Sequence, residues 1–307
     1  MALRSFTLRA AGAGTSRSRA AWLMLLPLAL GLAAFAVYPA VYVAGLSFTK
    51  STLGQPFKAW TGLSNYRWLL LGGDEMFVPS LFRAALFSFG VALVELWLGL
   101  WLALLLSTMR RAGRLVRSVM LLPLITPPVL VGVAWKLLLA PGGGLVNGKL
   151  MAFGLVDAPV SFLGTEHLAL LSIMVADAWQ WTPFVAILAY AALRQVPDDV
   201  VEAARLDGAS EGAVFRKIQL PLAAPLLLAI FVLRLIMAFK TFDLLYILTF
   251  GGPGDATDMA GFAIWRKALR EFDVGAAAAE TVLFAAFVSI AILPALWLHR
   301  RIEGNVI

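Results

Sequence analysis

Glu202-Ala203-Ala204-Arg205-Leu206-Asp207-Gly208, followed after nine residues by Ile218-Gln219-Leu220-Pro221, is a polar island between two long apolar runs. Pro197 supplies a helix start and Gly208 a helix stop, because glycine takes the left-handed conformation after a C-cap without steric cost. Between them Asp198, Asp199, Glu202 and Arg205 face one way, while Val200, Val201 and Ala204 make a narrow apolar stripe. A second short helix is expected from near Ser210 through Val214, Phe215 and Ile218, ending where Pro221 opens the next apolar run. A hairpin this short does not bury its own stripe, and its charge keeps it out of lipid. It therefore needs a partner surface in water.

The chain around the hairpin is a membrane protein by composition. Its 307 residues are 61% hydrophobic and 14% charged, far more apolar than a soluble domain. Cysteine is absent, which excludes disulfides, thiolate metal sites and a cysteine nucleophile. The net charge of +7 does not point to nucleic acid, since the basic residues sit at the ends of apolar runs. Residues 1–21 hold Arg4, Arg9, Arg17 and Arg19 with no acid and read as a flexible cytoplasmic tail. A secretory signal is the rival reading, but the apolar stretch from Ala20 to Leu46 exceeds the core of about 7–15 residues that such signals carry.

Five further runs of about twenty residues or longer follow, near 80–106, 115–140, 168–194, 221–249 and 276–298. The expected fold is all-α, with six transmembrane helices. Arg110, Arg111, Arg114 and Arg117 crowd the second loop, Arg300 and Arg301 follow the last run, and Arg194, Arg205, Arg216 and Lys217 mark the fourth. Positive residues collect on the inner side. That rule places both termini and the Glu202 hairpin in the cytoplasm.

The pattern EAA, three residues, G, nine residues, I-x-L-P is filled by Glu202, Ala203, Ala204, Gly208, Ile218, Leu220 and Pro221. It resembles the cytoplasmic coupling loop of bacterial ABC importer permeases. The resemblance extends over roughly residues 20–300. Gly62-Leu63-Ser64-Asn65-Tyr66, the run Gly99 to Leu106, Leu122-Pro123, Pro127-Pro128, Trp135 and the string Trp179 to Phe184 look like segments of carbohydrate-importer permeases. Phe242 to Thr249, ending in Gly251-Gly252-Pro253, is similar to the first of two permeases in maltose-type or glycerol-3-phosphate-type importers. Two departures stand out. The extra N-terminal helices and large periplasmic insertion of the maltose permease have no counterpart, and Ala84-Ala85-Leu86 stands where relatives often show Asn-Thr.

The resemblance implies a type I ABC importer permease fold in the bacterial inner membrane. It divides the chain into a tail (1–21), a first helix with a periplasmic loop (22–79), a transmembrane domain (80–298) carrying the coupling loop 195–220, and a C-terminal tail (299–307). The implied partners are a second homologous permease, a homodimeric ATPase, an extracytoplasmic solute-binding protein and the lipid bilayer. Glu202, Ala203, Ala204, Asp207, Gly208, Ile218, Leu220 and Pro221 are then the ATPase-coupling residues. The implied cargo is a sugar or polyol, with a glycerol-3-phosphate-type ester as the alternative.

The residues agree that the energy source lies elsewhere. No GxxxxGK[ST] phosphate loop is present, so ATP and Mg²⁺ are expected on the partner ATPase, with no cofactor on this chain. His167 and His299 are far apart and expected on opposite sides of the membrane, which leaves no histidine metal centre. HExxH and GxSxG are absent, and no catalytic set remains for a membrane-embedded enzyme. An ion-coupled secondary transporter is the other rival class.

Charges inside the apolar runs are the remaining candidates, because a lone charge in hydrocarbon faces a cavity or a partner. Glu95 has Ser88, Ala92, Gly99 and Leu102 on its side of the helix, and Asp177 shares a face with Gln180, Trp181 and Phe184. Arg234 is flanked on its face by Phe231, Ala238 and Thr241, and Lys240 and Asp243 are spaced to pair. Two readings stay open. In one, Asp177, Gln180, Trp181, Phe231, Arg234, Thr241 and Asp243 line the substrate path, with Arg234 donating to substrate oxygens and aromatic rings stacking on sugar faces. In the other, Arg234 forms buried pairs with Asp177 or Glu95 that hold helices or the partner permease together.

Overall fold

The computed structural model describes residues 14–109 and 113–306, so Arg4, Arg9, Arg110 and Arg111 lie outside the described residues. Helix α1 (Trp22–Leu46) is apolar on every side, and none of its most apolar stretch is buried within the chain. The same helix begins at Gly14, inside the segment expected to be tail. Strands β1 (Thr49–Thr52) and β2 (Gln55–Trp60) follow as an antiparallel hairpin with Thr49 opposite Trp60. This hairpin departs from the all-helical expectation. Next come α2 (Ser64–Leu70) and α3 (Phe77–Thr108).

The third crossing is broken. Helices α4 (Leu115–Ile125) and α5 (Pro128–Leu138) meet at 91°, where one continuous run over 115–140 was expected. The reason is local. Pro127 pushes Thr126 out of the helical region, to φ −72° and ψ 127°, and Pro128 is suited to start a new helix because its missing N–H has no partner there anyway. A broken helix needs its freed backbone groups satisfied at membrane depth. Gln180 Nε2 does this by donating to the Thr126 carbonyl at 3.0 Å.

After α6 (Leu145–Ala152) come α7 (Glu166–Leu193), α8 (Asp198–Leu206), α9 (Glu211–Phe239), α10 (Asp243–Leu248), α11 (Ala260–Leu269) and α12 (Val274–Val306). Five described helices are long and apolar enough to cross a bilayer, and the bent α4–α5 pair makes the sixth crossing. The main core gathers buried residues of α3, α7 and α9 to α12, including Phe87, Ile173, Leu235 and Leu245. Small buried residues let α3 and α7 approach closely: Ala92 and Ala103 on one, Ala176, Ala186 and Ala189 on the other.

At the start of α12 the approach is closer still. A β-carbon on Gly275 would overlap the carbonyl oxygen of Thr49 and lie 3.0 Å from the amide nitrogen of Ser51. Backbone on both sides leaves nothing to yield. We expect Gly275→Ala to lower stability by about 1–3 kcal/mol by prising β1 from α12, read as a lower unfolding temperature in detergent. An unchanged transition would show that the two segments separate freely.

Candidate functional site

The Glu202 hairpin stands where α7, α8 and α9 meet. Helix α8 follows Pro197, carries Asp198 and Asp199 in its first turn where the helix dipole favours acids, and stops at Gly208. The stop is a Schellman motif: Gly208 N–H donates to Arg205 O and Ala209 N–H to Ala204 O, each at 3.0 Å. Gly208 accordingly has φ +83°. Arg205 and Glu211 bridge the turn through two hydrogen bonds of 2.8 and 3.0 Å. This pairing holds the exposed Glu211 carboxyl below its ordinary range and raises Arg205.

Two details differ from the sequence reading. Two of the three stripe residues are covered within the chain: Val201 is buried with Leu193, Val196 and Val214, and Ala204 packs on the same cluster, while Val200 is exposed. The second arm is not a separate short helix, because α9 runs from Glu211 into the membrane span without a break. Its first turns widen into a π-helix at Phe215–Gln219, where Leu220 N–H reaches back to Phe215 O. Ile218 and Leu220 are half-buried there and Pro221 is exposed. Of the coupling residues, the hairpin shows Glu202, Ala203, Asp207 and Gly208 to solvent, together with Val200, Arg205 and Leu206. Leu206 is 89% exposed, a bare apolar knob between Arg205 and Asp207.

The in-span charges converge. Arg234 of α9 donates from Nη2 to Glu95 Oε1 of α3 at 2.8 Å, and to Asp177 Oδ2 of α7. Its guanidinium carbon lies 5.2 Å from the centre of the Trp181 ring. All three charged residues are at most 1% exposed. Three spans are thus tied at one depth by a guanidinium held between two carboxylates.

Beside this triad Asp177, Gln180, Trp181, Thr241 and Asp243, with Pro128, Met237 and Lys240, line a cavity of ≈ 180 Å³. Five of the seven residues read as substrate path therefore share one space. Arg234 is buried behind it, and Phe231 packs in the main core without lining it. Lys240 and Asp243 both line the cavity and form no ion pair with each other. Lys240 is the lining cation that sequence reasoning assigned to that pair. Gln180 Oε1 and Arg234 Nη1 are buried without a hydrogen-bond partner among the described residues, so hydrogen-bonding capacity is left at this depth.

A bundle of six crossings, with an exposed helical hairpin at one end and a polar cavity among its spans, defines a multi-pass transport protein. The chain belongs to the family described as binding-protein-dependent transport system inner membrane component, whose model matches residues 95–305. It is similar to the trehalose/maltose transport system permease protein MalF of Thermococcus litoralis, at 36% identity over 236 residues, 77% of this chain and 79% of that one. The sn-glycerol-3-phosphate transport system permease protein UgpA of Yersinia pestis is 30% identical over 279 residues, 90% of this chain and 92% of the relative. In fold the chain resembles a subunit of a bacterial alginate ABC transporter solved with its pentasaccharide-bound periplasmic protein: TM-score 0.81, 23% identity, 94% of this chain and 96% of that one. It is an inner-membrane ABC importer permease with the type I fold.

Proposed function

We propose that the chain forms one half of the translocation path for a sugar or related polyol, paired with a second homologous permease and driven by a separate homodimeric ATPase that binds ATP and Mg²⁺. A solute-binding protein delivers the cargo from outside. The hairpin end then faces the cytoplasm, together with both termini. The observation that carries this reading is the hairpin: it exposes Glu202, Ala203, Asp207 and Gly208 at the foot of α9, whose far part carries Arg234 and borders the cavity. ATP hydrolysis that moves the hairpin moves the wall of the cavity. Leu206 and the acids around it supply the docking surface.

The cavity suits hydroxyl groups. Gln180 Oε1 is free to accept, Thr241 both donates and accepts, and Trp181 offers a ring to an apolar sugar face. Arg234 does not line the cavity; held between two carboxylates, it acts on the cargo through the walls it ties together. One observation favours the phosphate-ester alternative: Lys240 lines the cavity without an acid bound to it.

Lys240→Gln separates the two. We expect uptake of a neutral sugar by the purified complex in liposomes to stay within about twofold, because a hydroxyl ligand gains little from an ammonium group. Loss of uptake beyond tenfold, together with binding of glycerol 3-phosphate by the cognate solute-binding protein, would transfer the assignment to the ester.

A further inference from the structure

Between α3, α4 and α7 the chain leaves an apolar groove of ≈ 690 Å³. It follows from the broken crossing. Helix α4 packs on α7 near its Leu122–Ile125 end, just before the bend. Its earlier turns face α3 across the groove, with Val116 and Val119 on one wall and Leu98 and Leu102 on the other. Val175 and Trp179 of α7 complete the lining, in which no side chain carries a charge. Val119 and Val175 are exposed into it. From Val91 to Leu102 the groove follows α3 for roughly 16 Å at about 1.5 Å per residue. That is the depth of one leaflet in a hydrocarbon core about 30 Å thick.

The end of the groove nearer the coupling hairpin is basic and lacks a counter-ion. Arg117 follows the lining residue Val116 on α4. Its Nε donates to the Gly113 carbonyl at 3.0 Å, and its guanidinium carbon lies 5.2 Å from the centre of the Tyr190 ring of α7. Neither partner is an anion, so the charge stays unmatched. No acid occurs between Glu95 and Asp157, a stretch that holds Arg110, Arg111, Arg114 and Arg117. Tyr190 also borders a polar cavity of ≈ 220 Å³ at the foot of the hairpin, together with Ser107, Arg194 and Asp198. The Arg117–Tyr190 contact thus stands between an apolar groove and a polar recess.

We propose that this groove binds one anionic phospholipid of the inner leaflet, with an acyl chain between α3 and α4 and the phosphate on Arg117. The importer reading above supplies only the choice of leaflet. An unmatched guanidinium at the mouth of an apolar slot is the pairing that a phosphate diester on a hydrocarbon chain requires. Space decides against a protein helix, which at about 10–12 Å across would displace roughly twice the groove's volume over the same length. A single acyl chain is slender and pliable enough to fill it. The bound lipid then props the first half of the broken crossing against α3 and fixes how far α4 stands off.

The test uses the whole complex in nanodiscs made of equal parts phosphatidylglycerol and phosphatidylcholine. Lipid retained after transfer to detergent is counted by native mass spectrometry. We expect the wild-type complex to keep phosphatidylglycerol over phosphatidylcholine by about fivefold, and Arg117→Gln to lose that preference. Val175→Trp, which fills the groove from an exposed position, should lower retention of both lipids. A phosphatidylglycerol with a photoreactive acyl chain should label α3, α4 and α7 around Val119 and Val175. An undiminished preference in Arg117→Gln, or labelling confined to α1 and α12, would overturn the proposal. A photo-crosslinker at position 175 that captures the partner permease and no lipid would give the groove to a protein helix and overturn it equally. None of these readouts needs transport, so failure here is distinguishable from failure of the importer reading.

Discussion

A Gly208→Asp chain inserts and folds, its complex still hydrolyses ATP, and solute uptake falls to background. The turn at Gly208 sits at φ +83°, where a side chain adds about 1 kcal/mol of strain per residue. Aspartate is among the residues that tolerate this region best, and a β-carbon there meets no atom within 4 Å. Folding is therefore nearly untouched. What changes is the exposed tip, which gains a carboxylate beside Asp207 on the face proposed to enter the ATPase. Companion variants separate turn strain from surface charge. Gly208→Asn keeps the left-handed turn without the charge and should retain most of the uptake, whereas Gly208→Val strains the turn without charge. Coupled uptake at the wild-type ratio of solute to ATP in the aspartate variant would remove Gly208 from the coupling surface.

The second large effect is at Arg234. Arg234→Met leaves Glu95 and Asp177 buried against one another with no cation, and we expect a loss of about 3–5 kcal/mol. It should appear as a sharply reduced yield of folded chain and a lower unfolding temperature. Neutralising all three positions together, as Glu95→Gln, Asp177→Asn and Arg234→Met, should restore much of that stability, because no unpaired charge remains. Uptake by the restored variant then tests the path directly. Near-normal transport would make the triad a clamp between spans. Absent transport in an intact complex would show that these charges also serve the moving solute. An Arg234→Met complex with wild-type stability and uptake would defeat both roles.

The hairpin was legible because its determinants are local: Pro197, the acids of the first turn and Gly208 act within a dozen residues. The crossings were legible because hydrocarbon demands long apolar runs. The break between α4 and α5 was written in Pro127 and Pro128, yet composition alone read one run, since each half is as apolar as the whole. The pairing of Arg234 with Glu95 and Asp177 depends on how three distant helices turn toward each other, which spacing on one helix does not report. Lys240 and Asp243 show the converse error: three residues apart in sequence, they are separated by the end of α9 at Phe239 and the start of α10 at Asp243. The strand hairpin of β1 and β2 escaped notice because strands of four and six residues are too short to declare a period of two.

The unbroken run of α9 carries a consequence for timing. Its 29 residues form a rod of roughly 44 Å at about 1.5 Å per residue, with the hairpin at one tip and the Lys240 side of the cavity at the other. A rod of that length acts as a crowbar, so a small tilt at the foot becomes a displacement of several ångströms at the head. No slack joint lies between them beyond the widened turn at Phe215–Gln219 and the proline at 225. Under the proposed coupling, motor stroke and gate movement are one event seen from two ends. On that reading, release of the cargo keeps step with the engine because a single piece of helix belongs to both.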